Sequence, residues 1–287
     1  MEVRVDMIID VHVHPVFRET PATPEIARMI QNLEQTSKNY YCRSQNILSL
    51  ADFQQEMKSA GIDRVVLQIS ASKGSPANPV NEQASMLMRM FPDTFMGFAG
   101  FNPHQGEQAV TDIVHAIKDL GYKGLKTVSP TLELDINDKA YYPCYAKAQE
   151  LGVPIMIHTG ASTLVMGYRV KYAQPLMIDD VAFDFPDLRI ICAHMGGHSF
   201  MDVQNLLVRH QNVYADLCFW PLHPLYKDLI PWHILEETVP DKILLGSDYP
   251  CAQTPKEAVE TVKTLPISEA FKQKILGKNT ERLLSKS

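Results

Sequence analysis

Eight short apolar runs, rich in β-branched residues, constrain the fold of this chain more than any other feature of its sequence. They lack strict polar alternation, which is typical of strands covered on both faces of a parallel sheet. Strands that alternate with helices in this way predict an α/β protein with a (β/α)8 TIM barrel. The runs cover residues 8–14, 64–70, 95–101, 123–128, 153–158, 188–194, 212–219 and 242–248, and the clearest helical stretches between them are 50–61, 80–91, 107–121 and 139–152.

A doubly wound open sheet is the structural alternative. Such a sheet usually has fewer strands, and a glycine-rich phosphate loop often follows its first strand. In this chain the first run ends in His-Val-His-Pro (12–15), and neither a GxGxxG nor a Walker motif occurs. The barrel is therefore the prediction that we carry forward.

The domain organisation is expected to be simple. No low-complexity linker divides the chain, so residues 1–287 are predicted to form one barrel domain. Residues 15–49 are predicted to be a small inserted lobe after strand 1, lying over the barrel mouth. Residues 267–287 are predicted to form a C-terminal helix.

Composition narrows the function classes. The 287 residues carry a net charge of −6 with no long basic run, which argues against nucleic acid and anionic membranes as partners. No apolar stretch approaches the ~18 residues that a membrane span needs. The five scattered cysteines are typical of reduced thiols in a cytoplasmic protein. We expect a small-molecule substrate as the partner, and homodimer formation stays open.

Polar side chains gather where predicted strands end, which is where barrel enzymes place their chemistry. His12 and His14 point to the same side of the first strand because strand residues alternate faces. Nitrogen and carboxylate donors from several strands suit a catalytic zinc, manganese, iron or cobalt ion. The sequence therefore predicts a divalent metal site in the barrel mouth. The strand-end residues are His12, His14, Lys126, His158, His194 and Asp248.

Four motifs carry a resemblance to a known family: IDVHVHP, VPIMIHTG, IICAHMGGHSF and ILLGSDYP. The set resembles the amidohydrolase superfamily, and more narrowly the branch that includes aminocarboxymuconate-semialdehyde decarboxylase and γ-resorcylate decarboxylase. The resemblance implies one divalent ion, zinc or else manganese, bound by His12, His14, His158 and Asp248. It further implies that Asp248 also moves a proton and that His194 is the catalytic histidine.

Lys126 in GLKTVSP leaves two alternatives. In binuclear members of the superfamily a lysine on strand four is carbamylated and bridges two metal ions. The GSDYP and HMGG motifs favour the mononuclear branch, in which Lys126 would instead hold a substrate carboxylate. His198, which follows the HMGG turn, is expected to start a helix and line the mouth.

The same ion would serve two reactions. We expect hydrolysis of a small, carboxylate-bearing cyclic or unsaturated lactone, amide or ester, because the GLK and HMGG pieces resemble hydrolase and lactonase members. The alternative is non-oxidative decarboxylation of a hydroxybenzoate-like or muconate-like acid, and a remote one is a non-catalytic metal-binding barrel. Arg43 and Arg169 are further candidates to hold the substrate's anionic groups, and Trp220 to flank a planar substrate.

Overall fold

The protein is an eight-stranded parallel barrel. The computed structural model describes residues 7–19, 47–160, 167–223 and 226–285. Each strand pairs with the next along the chain, and backbone bonds from Val11 N to Leu245 O (2.9 Å) and from His14 N to Tyr249 O (2.7 Å) join the segment after the last strand to the first strand and its end. The TIM-barrel prediction is confirmed. The strands are β1 (Ile9–Val13), β2 (Arg64–Gln68), β3 (Phe95–Gly100), β4 (Gly124–Thr127), β5 (Ile155–His158), β6 (Ile190–Ala193), β7 (Val213–Asp216) and β8 (Ile243–Leu244).

Helices follow the strands, as the sequence pattern predicted. The first begins after Ser49, whose side chain accepts from the amide of Asp52, and ends at Gly61 in the left-handed region, both of which are standard end signals. The helices are α1 (Leu50–Ala60), α2 (Asn78–Met90), α3 (Glu107–Lys118), α4 (Ser129–Leu132), α5 (Tyr142–Glu150), α6 (Met177–Asp184), α7 (Phe200–Arg209), α8 (Trp232–Thr238), α9 (Pro255–Lys263), α10 (Glu269–Gln273) and α11 (Asn279–Ser285).

β8 is shorter than the predicted run 242–248. The amide of Leu245 donates to Ile275 O (3.0 Å) and that of Ser247 to Asp10 Oδ1 (3.0 Å). Because these N–H groups bond to a helix and to a side chain, they leave the regular ladder and the strand ends early. The segment after β8 is thereby free to turn and present Asp248 to the barrel mouth.

The C-terminal segment is helical, but it is not one regular α-helix. A π-helical segment, Lys274–Lys278, separates α10 from α11. Gly277 lies in it against the start of β1, where an added Cβ would stand only 1.7 Å from Met7 O. The close approach of the two backbones therefore accounts for both the glycine and the local irregularity.

Two clusters of buried apolar side chains lie on the two faces of the sheet. One lies between the sheet and the helices, and the other fills the lower part of the barrel interior. Met156 and Tyr214 belong to the interior part, and the residues two positions further along the same strands are His158 and Asp216. Since residues two apart share a strand face, an apolar layer lies beneath a polar one.

Two expectations concern parts of the chain that the structure covers incompletely. Of the predicted inserted lobe, 15–49, residues 20–46 lie outside the described residues, so the lobe stays a prediction. Among the helices of the described ranges, none is both long enough and apolar enough to cross a bilayer.

Candidate metal centre

Three side chains from the two ends of the chain meet in the barrel mouth. Oδ1 of Asp248 lies 3.1 Å from Nε2 of His14 and 3.4 Å from Nε2 of His12. All three residues are buried, and their donor atoms lie within 4.8 Å of one another. One divalent ion can reach all three donors from a single position.

The backbone explains why these three side chains converge. Asp248 has a φ of 57°, a left-handed conformation that is uncommon for a residue with a side chain. Its amide donates to the carbonyl oxygen of His12 (2.8 Å), which fixes the turn after β8 against the end of β1. Strain at Asp248 is thus held by the same contact that brings it to the two histidines.

His158 and His194 form a second pair beside this group. Nδ1 of His158 lies 3.1 Å from Nε2 of His194, and both rings are buried. Nε2 of His158 is buried and has no hydrogen-bond partner. An unpartnered buried nitrogen costs free energy unless a ligand or an ion satisfies it. Nδ1 of His194 lies 3.9 Å from Oδ2 of Asp248, which links the pair to the first group.

His194 stands at a sharp bend. It has a φ of 61°, and Gly196 and Gly197 that follow have φ of 78° and 59°. An added Cβ on Gly196 would lie 2.7 Å from a methyl group of Val203, so the predicted glycine turn is found where it was expected. His198 follows this turn immediately before α7.

Asp216, at the end of β7, supports two of the histidines. Its Oδ2 accepts from Nδ1 of His12 (2.7 Å), and its Oδ1 accepts from the backbone amide of His194 (2.7 Å). A proton held on Nδ1 leaves the lone pair of His12 on Nε2, which faces Asp248. Carboxylates that orient a ligating histidine in this way also raise its basicity as a ligand.

Sequence reasoning missed Asp216, together with Cys218. Sγ of Cys218 lies 2.8 Å from Oδ1 of Asp216, 3.0 Å from Nδ1 of His194 and 3.2 Å from Nδ1 of His12. The signal was weak, because Asp216 lies inside the predicted run NVYADLCF as its only charged residue, and only the observed strand β7 ends there. His12, His194, Asp216 and Cys218 form a second group of donor atoms within 4.8 Å of one another.

Lys126 is buried in the same mouth. Its Nζ lies 3.3 Å from Nε2 of His12, so it donates to the lone pair that Asp216 leaves exposed. Burial lowers the pKa of Lys126 from its usual value, and the carboxylates of Asp216 and Asp248 act in the opposite direction.

Burial disfavours the charged form of three imidazoles in the site, those of His12, His158 and His194. Burial, with the nearby charge of Lys126, lowers the pKa of His158 to about 3 and that of His12 well below its usual value. Burial, followed by the neighbouring rings of His158 and His12, likewise lowers the pKa of His194. Neutral imidazole is the form that ligates metal. Together with the unpartnered Nε2 of His158, this donor chemistry fits a divalent ion.

The remaining predicted substrate contacts are more distant or lie outside the description. Trp220 is buried and packs on His198 with ring centroids 3.9 Å apart, and the ring of Phe219 lies 5.2 Å from that of Trp220 and 6.4 Å from that of His194. Arg169 is exposed at the start of a short 3-10 turn, Val170–Ala173. Arg43 lies outside the described residues. For all three, a role in substrate binding stays a prediction.

The architecture and the donor set define a class: barrel enzymes that gather histidine and carboxylate donors at the carboxyl ends of their strands. The sequence profile of one family, described as amidohydrolase, matches residues 9–286. The chain belongs to this amidohydrolase family, and the resemblance of its four motifs is confirmed.

Two curated relatives match part of the chain. A 2-keto-4-carboxy-3-hexenedioate hydratase from a Sphingobium species is 27% identical over 172 residues, covering 49% of this chain and 50% of the hydratase. A 2-amino-3-carboxymuconate-6-semialdehyde decarboxylase from Dictyostelium discoideum is 23% identical over 241 residues, covering 72% of this chain and 66% of the decarboxylase. The match thus spans half of the first relative's length.

Solved structures match almost the whole chain. An uncharacterized TIM-barrel protein from Bordetella bronchiseptica has a TM-score of 0.80 at 25% identity, covering 98% of this chain and 99% of that one. A 2,6-dihydroxybenzoate decarboxylase from Rhizobium has a TM-score of 0.70 at 18% identity, covering 97% and 98%. A 5-carboxyvanillate decarboxylase from Novosphingobium aromaticivorans, complexed with manganese and 4-hydroxy-3-methoxy-5-nitrobenzoic acid, has a TM-score of 0.70 at 16% identity, covering 97% and 96%. The two decarboxylases show the likeness of the fold alone.

Proposed function

We propose that this protein is a divalent-metal-dependent decarboxylase of a small aromatic or unsaturated carboxylic acid. The observation that carries the proposal is the placement of the buried Lys126 ammonium beside the donors His12, His14 and Asp248. The ammonium group of Lys126 can bind one anionic group of a substrate. A metal ion held by the three donors can bind a second substrate oxygen. Decarboxylases among the relatives support this alternative over the hydrolysis that the sequence favoured.

The ion would be held by His12, His14 and Asp248, with Nε2 of His158 as the fourth donor. When bound, it supplies a Lewis acid that fixes and polarises a substrate oxygen. Zinc is our expectation from the sequence. The manganese in the related 5-carboxyvanillate decarboxylase makes that ion the first alternative to test.

Ion binding and the Lys126 hydrogen bond compete for one lone pair. Nε2 of His12 accepts from Nζ of Lys126, and the same lone pair would ligate the ion. Lys126 must therefore turn to another acceptor when the ion is present. A substrate carboxylate is well suited, because a charge-assisted hydrogen bond in a buried site is stronger than a neutral one.

Decarboxylation needs a proton at the carbon that loses carbon dioxide. The carbon–carbon bond breaks, its electron pair stays on the substrate carbon, and a proton must reach that carbon. We propose that His194 or Asp248 takes this proton from solvent and passes it to the carbon, which returns the group to its starting protonation state. His194 is held through its backbone by Asp216 and through its ring by His158, so it keeps a fixed orientation for this transfer.

Hydration is a second candidate, favoured by the 27% identical hydratase. Adding water to the double bond of a carboxylated acid makes the same demands, since carboxylates must be held and a carbon protonated. The two reactions differ in their products, because only decarboxylation releases carbon dioxide.

The test is a product assay on the purified protein loaded with Mn²⁺ or Zn²⁺. Hydroxybenzoates and muconate-like acids would be followed for carbon dioxide, unsaturated keto diacids for water addition, and lactones for ring opening. We expect carbon dioxide release that disappears in the metal-free protein and in Asp248→Asn. Lactone opening alone would overturn the proposal and restore the hydrolase prediction, and hydration alone would move the protein to the second candidate.

A further inference from the structure

We propose that Cys218 and its neighbours form a second, thiophilic metal site whose occupation inhibits the enzyme. The donors are Sγ of Cys218, Nδ1 of His12, Nδ1 of His194 and the carboxylate of Asp216. All four residues are buried, and they form a second group of donors beside that of His12, His14 and Asp248. The two groups share His12.

The geometry is close to that of a tetrahedral site. Metal–ligand bonds of ~2.0–2.3 Å at tetrahedral angles place neighbouring ligand atoms about 3.4–3.6 Å apart. The corresponding distances here are 3.2 Å and 3.0 Å from Sγ to the two Nδ1 atoms, and 2.7 Å from Nδ1 of His12 to Oδ2 of Asp216. Hydrogen bonds hold these atoms about 0.2–0.7 Å closer than an ion would, so an opening of that size would admit one.

The thiol determines which ions would bind. The first group offers only nitrogen and oxygen donors, which suit manganese and zinc, whereas a thiolate selects Cd²⁺, Cu⁺ and excess Zn²⁺. Coordination replaces protons and involves no change in oxidation state. The thiol proton of Cys218 passes to solvent as the sulfur–metal bond forms, and the ring proton of His12 moves from Nδ1 to Nε2, so the imidazole stays neutral.

Inhibition follows from the shared histidine. Asp216 orients His12 by accepting from its Nδ1, and an ion on that nitrogen removes the hydrogen bond. The same ion would be bound by Nδ1 of His194, the residue that we propose as a proton donor in catalysis. Occupation of the second group therefore disturbs one ligand of the first ion and the proposed proton donor together.

Cadmium is the probe that tests this site. Protein preloaded with one equivalent of Mn²⁺ is titrated with Cd²⁺, while the ultraviolet sulfur-to-cadmium charge-transfer absorption and the electron paramagnetic resonance signal of free Mn²⁺ are recorded. We expect the charge-transfer band to reach its full intensity at one equivalent of Cd²⁺. At that point less than one equivalent of Mn²⁺ should have been released. The band does not depend on catalysis, so it stays informative if the proposed reaction is wrong.

Two variants complete the experiment. Cys218→Ser keeps a hydroxyl that can donate to Asp216, and we expect it to lose the band and to bind Cd²⁺ at least ~100-fold more weakly. Cys144→Ala removes another buried thiol, from α5, and should leave the band unchanged. Thermal unfolding checks that both variants fold. A band that persists in Cys218→Ser, or Cd²⁺ uptake that only displaces Mn²⁺ without a band in the wild type, would refute the site.

Discussion

Asp216 Oδ2 accepts a 2.7 Å hydrogen bond from Nδ1 of His12 across 204 residues of sequence. The bond reaches from β7 to β1 and leaves the Nε2 lone pair of His12 directed toward Asp248. We therefore expect Asp216, which is outside the proposed first ligand set, to determine whether Nε2 of His12 is available to the first ion.

Asp216→Asn tests this relationship. The asparagine oxygen can still accept from the amide of His194, which turns its NH2 group toward Nδ1 of His12 and favours the opposite tautomer. We expect the affinity for the divalent ion to fall about 10–100-fold, as measured by competition with a chromophoric chelator. Asp187→Asn, at an exposed position, is the matched control and should bind as the wild type does. Unchanged affinity in Asp216→Asn would show that the tautomer of His12 is not fixed by Asp216.

His194→Asn separates metal binding from chemistry. The variant should keep the ion and lose ~10²–10⁴-fold in turnover, which is the usual contribution of a positioned proton donor. His12→Ala should lose both ion and turnover. Metal analysis of the desalted proteins, beside their steady-state rates, distinguishes the two. If His194→Asn sheds its ion and activity follows metal content, His194 is a ligand.

Lys126→Met should act on the substrate and on the ion in opposite directions. Without the ammonium, a carboxylate substrate loses a charged partner worth about 1.5–3 kcal/mol, so the KM should rise by a factor of about 10–160. Metal binding should stay the same or tighten, because Nε2 of His12 no longer accepts a hydrogen bond from Nζ. Lys118→Met, at an exposed position of α3, is the control. A KM that does not change for any acid would mean that Lys126 is structural.

The metal-free protein should become less stable in mild acid. Burial lowers the pKa of His158 from 6.5 to about 3, so the unfolded chain binds a proton in this window and the folded chain does not. The stability is fully present above pH ~6.5 and is lost as pH falls toward 3, by an amount on the order of a few kcal/mol. Urea unfolding between pH 7 and 4 measures the slope, and His158→Asn should reduce it. An equal slope in the variant would assign the acid sensitivity to other groups.

Much of the site could be predicted because strand ends are visible in a sequence. An apolar run that stops at a histidine or an aspartate marks both the strand and its functional end, and His12, His158 and Asp248 were found in this way. The geometry around them was less accessible. The left-handed conformations of His194 and Asp248, and the shortened β8, depend on contacts between distant segments that no local pattern records.

Asp216 was missed for a related reason. A single aspartate at the end of a strand has no motif, and its role appears only when β1 and β7 lie in one barrel.

Reaction type was the least accessible property, since hydrolysis, hydration and decarboxylation can all use the same donors. The arginine predictions depended on loops, and loop paths are set by tertiary packing rather than by local sequence.

The hydrogen bond from His14 to Asp248 spans 234 residues and connects the first strand of the barrel to the turn after the last. An ion bound there would link the first strand to the segment after the last strand, where the barrel closes. Its ligands come from the two ends of the sequence and meet only when the barrel has formed, so metal binding would be a late event in folding. Because the ion would bind only the closed barrel, a higher metal concentration would lower the population of molecules in which the first strand has separated from the segment after the last. Metal supply would then regulate the lifetime of the folded protein as well as its catalysis.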